Sequence, residues 1–204
     1  MRINWQTENM SAPPRRGELA AAAVGGRRVL FLLEGTTGHK IGVNVAAWYI
    51  RLFGRVPDTV RILVFDTDVR EEVVFVDDPA KSGRRVPIKL QRDVQFIQLG
   101  PDLNIERLAV EVERNPALHS DARSLLRLQP DGRRAGSLER GAGGEPLQGA
   151  IAGRWSAGRV GTAIRGTLGQ LLRLELASDE ALGQGVTVFV GGSLAGGCGA
   201  PNLL

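Results

Sequence analysis

The chain has 204 residues, 43% of them hydrophobic, with 26 basic against 22 acidic side chains for a formal charge of +4. That length and apolar content suit one globular domain, and the arginine excess is scattered, without the dense basic run that would point to a nucleic-acid partner. No stretch reaches about 18 uninterrupted apolar residues, so no membrane span is expected; Cys198, the lone cysteine, forbids an intrachain disulfide and fits a reducing compartment, with the cytoplasm the expected location.

Residues 1–26 carry a Pro-Pro pair, an Arg pair and a short alanine run. Glu8 and Glu18 argue against a targeting segment, so this stretch reads as a disordered or loosely docked leader to a domain over residues 27–204. Arg28–Leu33 is a continuous apolar run of strand length, followed at once by Glu34-Gly-Thr-Thr-Gly-His-Lys-Ile-Gly42, which reads as a glycine loop. Ile41, Val45, Trp48 and Leu52 recur at helical spacing and predict a helix over 41–53, with this stripe inward and Gly54 as its stop. Val60–Phe65 predicts a second buried strand, ending in Asp66-Thr-Asp68. Residues 28–68 therefore read as a βαβ unit with parallel strands and a right-handed crossover.

Glu71–Val76 and Val86–Leu90 are short β-like runs around a turn-rich insert, which fits a hairpin or a wandering loop. Asp93–Leu99 predicts another strand, and Asp102 or Asn104 stands ready to cap a helix over Ile105–Val112. A short helix is expected over Leu118–Leu128, a loop over Asp131–Gly149, and a helix over Ile164–Leu176 packed on the sheet. Val186–Val190 closes the series as a core strand and runs into Gly191-Gly-Ser-Leu-Ala-Gly-Gly-Cys-Gly-Ala200.

Loops at the carboxyl ends of neighbouring parallel strands converge on one crevice, so these segments would share one ligand. Gly35, Gly38 and Gly42 permit close backbone approach, Thr36 and Thr37 offer hydroxyls, and Lys40 adds positive potential, a set suited to nucleotide phosphates. Asp66 and Asp68 are placed to hold Mg²⁺ through water, to accept a ribose hydroxyl, or simply to cap a turn. The glycines have an equally simple use in tight turning. His39 and His119 lack partners at useful spacing and read as surface or helix-end residues, and Cys198 reads as a small residue in a turn or as a reactive thiol. No Gly-Lys-Ser/Thr is present, which argues against a Walker-type loop.

Taken in order, Glu34-Gly-Thr-Thr-Gly-His-Lys, Phe65-Asp-Thr-Asp68 and Ser193-Leu-Ala-Gly-Gly-Cys-Gly199 resemble the amino-terminal nucleotide-binding half of the tubulin and bacterial cell-division GTPase superfamily. The closest likeness is to the large bacterial tubulin-like proteins, and Arg140–Gly149 is similar to their glycine-arginine segment before the last helix. The resemblance covers residues 28–200 and implies a three-layer α/β fold, a mostly parallel Rossmann-like sheet with helices on both faces, here truncated. It implies that GTP or GDP, with Mg²⁺, is gripped by Gly35, Thr36, Thr37, Gly38, His39 and Lys40 and by Gly192, Ser193, Leu194, Ala195, Gly196, Gly197, Cys198 and Gly199, beside Asp66 and Asp68.

Cys198 stands where the family has a threonine, replacing a hydroxyl by a weaker donor, and Ala200-Pro-Asn departs from the expected continuation. The family's base contacts and catalytic loop would lie beyond Leu204, so a degenerate, non-hydrolytic nucleotide-binding domain is expected, with self-association or a filament role implied by the family. Two other readings stay open: a dinucleotide-binding module in which Asp66 accepts a ribose hydroxyl, and a ligand-free interaction protein.

Overall fold

The computed structural model describes residues 27–68, 71–78, 83–115, 146–174 and 185–193. A four-stranded parallel sheet has the order β5-β2-β1-β6, built from β1 (Arg28–Glu34), β2 (Val60–Asp66), β5 (Gln95–Gln98) and β6 (Val186–Gly191). β3 (Val73–Asp77) and β4 (Arg85–Lys89) form a separate antiparallel hairpin, which settles the hairpin-or-loop alternative. The helices are α1 (Gly35–Phe53), α2 (Ile105–Arg114), α3 (Pro146–Trp155) and α4 (Ala157–Arg173).

Side chains alternate across each strand, and both faces of the sheet are covered. On one face Leu30, Leu63, Phe65 and Ile97 meet Leu108 and Val112 of α2, Ile151 and Ala152 of α3, and Leu171 of α4. On the other, Leu33, Ile62 and Val64 meet Val43, Ala46 and Ala47 of α1 and Val76, Val86 and Ile88 of the hairpin. The result is the expected three-layer α/β architecture. Among the described residues no helix is long and apolar enough to cross a membrane.

Several expectations are corrected. The stretch from Gly35 to Gly42 is no loop: α1 begins at Gly35 itself, whose φ of 68° makes the abrupt turn out of β1. A Cβ on Gly38 would lie 2.8 Å from the carbonyl carbon of Leu33, and one on Gly42 would lie 3.1 Å from Val64 and 3.2 Å from Ile62. These two glycines let the helix lie close on the sheet, and the buried face is accordingly Gly38, His39, Gly42, Val43, Ala46 and Ala47. The predicted stripe is rotated outward, with Ile41 and Trp48 each 40% exposed. Gly54 does end the helix, in the left-handed region at φ 79°, its N–H donating to the Ile50 carbonyl at 2.7 Å.

Asn104 caps α2, its side chain accepting from the Arg107 N–H at 3.0 Å. The loop expected up to Gly149 gives way to α3 from Pro146, proline being well suited to a first helical turn, and α4 begins at Ala157 rather than Ile164. β6 pairs with β1 as a parallel strand, but among the described residues it stands at the sheet's edge and is not a buried core strand: Val188, Phe189 and Val190 are 43%, 51% and 63% exposed. The leader, the helix expected over 118–128 and residues 194–204 lie outside the described residues.

Candidate functional site

From β1 the chain steps outward through β2 to β5, then returns to lay β6 on the opposite side of β1. That reversal is a topological switch point, where open parallel sheets leave a crevice beyond the carboxyl ends of their strands. Glu34 ends β1, Asp66 ends β2 and Gly191 ends β6, so the three segments singled out in the sequence arrive at one edge of the sheet, in adjacent strands.

The first wall is the start of α1. Its N-cap, Glu34, makes no side-chain capping bond, and no acidic residue occupies the first turn. Backbone N–H groups and the positive end of the helix dipole are thus presented to the crevice, an arrangement that favours an anion. Thr36, Thr37 and Lys40 are exposed on these opening turns. Gly35 makes the turn and Gly38 the close approach to β1. His39 departs from the surface position expected of it: it points at the sheet, is 8% exposed, and lies edge-on to Phe96 with ring centroids 6.4 Å apart. Its ring belongs to the packing beneath α1.

The second wall is Asp66-Thr-Asp68. Asp66 is 3% exposed, and its carboxylate accepts from the Asp68 N–H at 3.4 Å in a short Asx-type turn. The Asp66 carbonyl accepts from the Leu99 N–H at 2.7 Å, and the Thr67 carbonyl accepts from Gln98 Nε2 at 3.5 Å. This turn is therefore tied to the end of β5. Among the described residues no three His, Cys, Asp or Glu side chains converge as a metal cage. Two carboxylates suffice for Mg²⁺ only when phosphate and water supply the remaining oxygens, its usual mode of binding.

The third wall starts at Gly191, where a Cβ would meet Leu33 Cδ2 at 3.2 Å, and continues through the half-buried Gly192 and Ser193. Leu194, Ala195, Gly196, Gly197, Cys198 and Gly199 lie outside the described residues.

One residue of the crevice escapes the motif reading. Glu34 closes β1 and is the N-cap of α1, with Oε2 buried and lacking a hydrogen-bond partner. Burial pushes its carboxyl up to about 7. The available signal was a charged residue closing an otherwise apolar strand.

Among the described residues, two cavities lie elsewhere. One, of about 490 Å³, opens at the amino ends of β2 and β5 beside Arg55, Arg61 and Arg92; the other, of about 560 Å³, runs along β5 against α4. The strand-end crevice is nevertheless the better candidate, because the helix start and the two carboxylates converge there. A protein-family model described as tubulin-like matches residues 34–204, from Glu34 through all three walls. No curated protein and no solved structure matches the chain.

Proposed function

Since the chain belongs to the tubulin-like family, we propose that it binds a guanine nucleotide, GTP or GDP, with the phosphates in the crevice between β1 and β6. The observation that carries this reading is the uncapped start of α1 at the switch point, flanked by Asp66 and Asp68 on one side and Gly191–Ser193 on the other. The helix N–H groups, Thr36, Thr37 and Lys40 would bind phosphate oxygens. Asp66 and Asp68 would orient the water shell of a phosphate-bound Mg²⁺. The residues present fit such a group: Asp66 and Asp68 offer carboxylate oxygens at the end of β2, and the start of α1 offers N–H groups to the phosphates that would share the metal.

Isothermal titration calorimetry with GTP, GDP, ATP and NAD⁺, each with and without Mg²⁺, tests the reading. Saturable heat for GTP and GDP, strengthened by Mg²⁺ and weaker for ATP, is the expected result. Binding of NAD⁺ alone would replace it with the dinucleotide reading, and no heat at submillimolar nucleotide would remove nucleotide binding altogether.

A further inference from the structure

We propose that Ser156, at the junction of α3 and α4, is a positioning residue for the Asp66-Thr-Asp68 turn, and that through this turn it sets how strongly Mg²⁺ favours nucleotide binding. The second half rests on the nucleotide reading above; the first stands on the fold alone. The path is two consecutive backbone amides at the end of β5. The Leu99 N–H donates to the Asp66 carbonyl at 2.7 Å, one step beyond the last pair of the β2–β5 ladder, Asp66 with Gln98. The next N–H, that of Gly100, donates to Ser156 Oγ at 2.8 Å in a buried bond.

Gly100 is clamped where it stands. Its φ of 59° lies in the left-handed region, its carbonyl accepts from the Leu103 N–H at 3.0 Å, and a Cβ on it would lie 3.2 Å from Leu103 Cβ and 3.3 Å from Ala152 Cβ. The planar peptide unit that carries the Gly100 N–H begins at the Leu99 carbonyl, so a hydroxyl holding that N–H also fixes the Leu99 backbone. Ser156 is itself held on both sides: its N–H donates to the Ala152 carbonyl at 3.0 Å, closing α3, and its carbonyl accepts from the Val160 N–H at 2.9 Å, opening α4. A serine in this place ordinarily turns its oxygen to its own helix start. Here that bond is absent and the oxygen serves a strand end 56 residues earlier.

The other end of the path is equally confined. Asp66 is 3% and Thr67 2% exposed, and the Asp66 carboxylate accepts from the Asp68 N–H at 3.4 Å. A displacement of the Asp66 backbone therefore redirects both carboxylates. A hold on Mg²⁺ through its water shell depends on the direction of such groups, and partners one step removed from a metal's ligands tune its affinity in this way. Metal-free contacts to phosphate, made at the start of α1, do not pass through this turn. Linkage is reciprocal, so Mg²⁺-nucleotide that steadies the turn also steadies the junction of α3 and α4.

The test uses the full 204-residue chain and compares Ser156→Ala with Ile88→Val, a truncation of a buried hairpin side chain on the opposite face that also lowers stability. Without any ligand, amide NMR of Ser156→Ala is expected to show shifts or broadening at Leu99, Thr67 and Asp68, and Ile88→Val to leave those three in place. In calorimetry with GTP, Ser156→Ala should bind as the wild type does without metal, while the gain in affinity conferred by Mg²⁺ falls about threefold or more; Ile88→Val should keep the full gain. Ser156→Cys, which keeps a weak acceptor on the same carbon, should fall between Ser156→Ala and the wild type in both measurements, and carries the test should the alanine variant not fold. Unmoved Thr67 and Asp68 amides overturn the positioning role. A full Mg²⁺ gain in Ser156→Ala, or equal losses with and without metal, overturns its effect on the site. No GTP heat in the wild type removes the nucleotide reading and with it the Mg²⁺ half, and the NMR comparison then decides whether Ser156 holds the turn.

Discussion

The buried backbone N–H of Gly100 donates to Ser156 Oγ at 2.8 Å, joining the residue just past β5 to the junction between α3 and α4. Ser156 occupies the N-cap of α4, yet its hydroxyl caps nothing there, being engaged with Gly100 instead. Ser156→Ala would leave that N–H without a partner in a site 4% exposed, and urea denaturation is expected to register a loss of about 1–3 kcal/mol. A loss within a few tenths would mean that water replaces the hydroxyl.

Gly38 and Gly166 should respond to the same substitution with opposite signs. Gly38→Ala drives a methyl to 2.8 Å from Leu33 backbone, so α1 must shift and stability falls by about 1–3 kcal/mol. Gly166 sits exposed inside α4 with nothing within 4 Å of its would-be Cβ, and Gly166→Ala should gain about 0.5–1 kcal/mol from helix propensity alone. Thermal melts of both variants check the contrast.

Glu34 makes stability depend on pH in a definite direction. Its carboxyl titrates near 7 in the fold and near 4.5 when free, so the native state holds the proton more tightly. Stability is greatest below about pH 4.5 as far as this group is concerned, and falls as pH rises through about 7. Glu34→Gln should remove that slope and, allowing for solvent screening, raise stability at pH 8 by about 1–2 kcal/mol. Chemical denaturation at pH 5, 6, 7 and 8 measures it; parallel slopes for the two proteins would contradict the assignment.

Lys40 and Asp68 should separate ligand binding from folding. Lys40 is exposed, so Lys40→Ala should leave the melting temperature in place while weakening GTP binding about fivefold to tenfold. Asp68→Asn should chiefly reduce the gain in affinity conferred by Mg²⁺. Calorimetry on each variant, with and without the metal, distinguishes the two effects.

The strands β1 and β2 were legible because central parallel strands are apolar on both faces and read as nearly unbroken runs, whereas β5, at the outside of the sheet, showed only in Phe96 and Ile97 ahead of the Gly100-Pro turn. Asn104 and Gly54 announced helix ends by side-chain chemistry and by backbone freedom, respectively. The seating of α1 was not legible: Gly38, Gly42, Ala46 and Ala47 bury through their small size and carry little hydrophobic signal. The louder stripe of Ile41, Val45, Trp48 and Leu52 pointed to the wrong face. The exposure of β6 was hidden for a related reason, since an apolar run states that a strand can be buried, whereas its place outside β1 among the described strands follows from how they are ordered. Of the crevice, the residue types were visible and Glu34 was not, because its unusual ionisation arises from burial beside segments distant in sequence.

The pairing of Arg28 with Val186 sets the order in which this molecule can be made. On the ribosome β1, α1 and β2 emerge together, and neighbouring segments can condense early. Among the described strands β6 is synthesised last, so the second side of β1 stays open until that strand emerges. Closing so long a loop is entropically expensive and kinetically slow. Until it closes, the nascent chain carries an unpaired apolar strand at its centre, the stage of its life at which a chaperone would matter most.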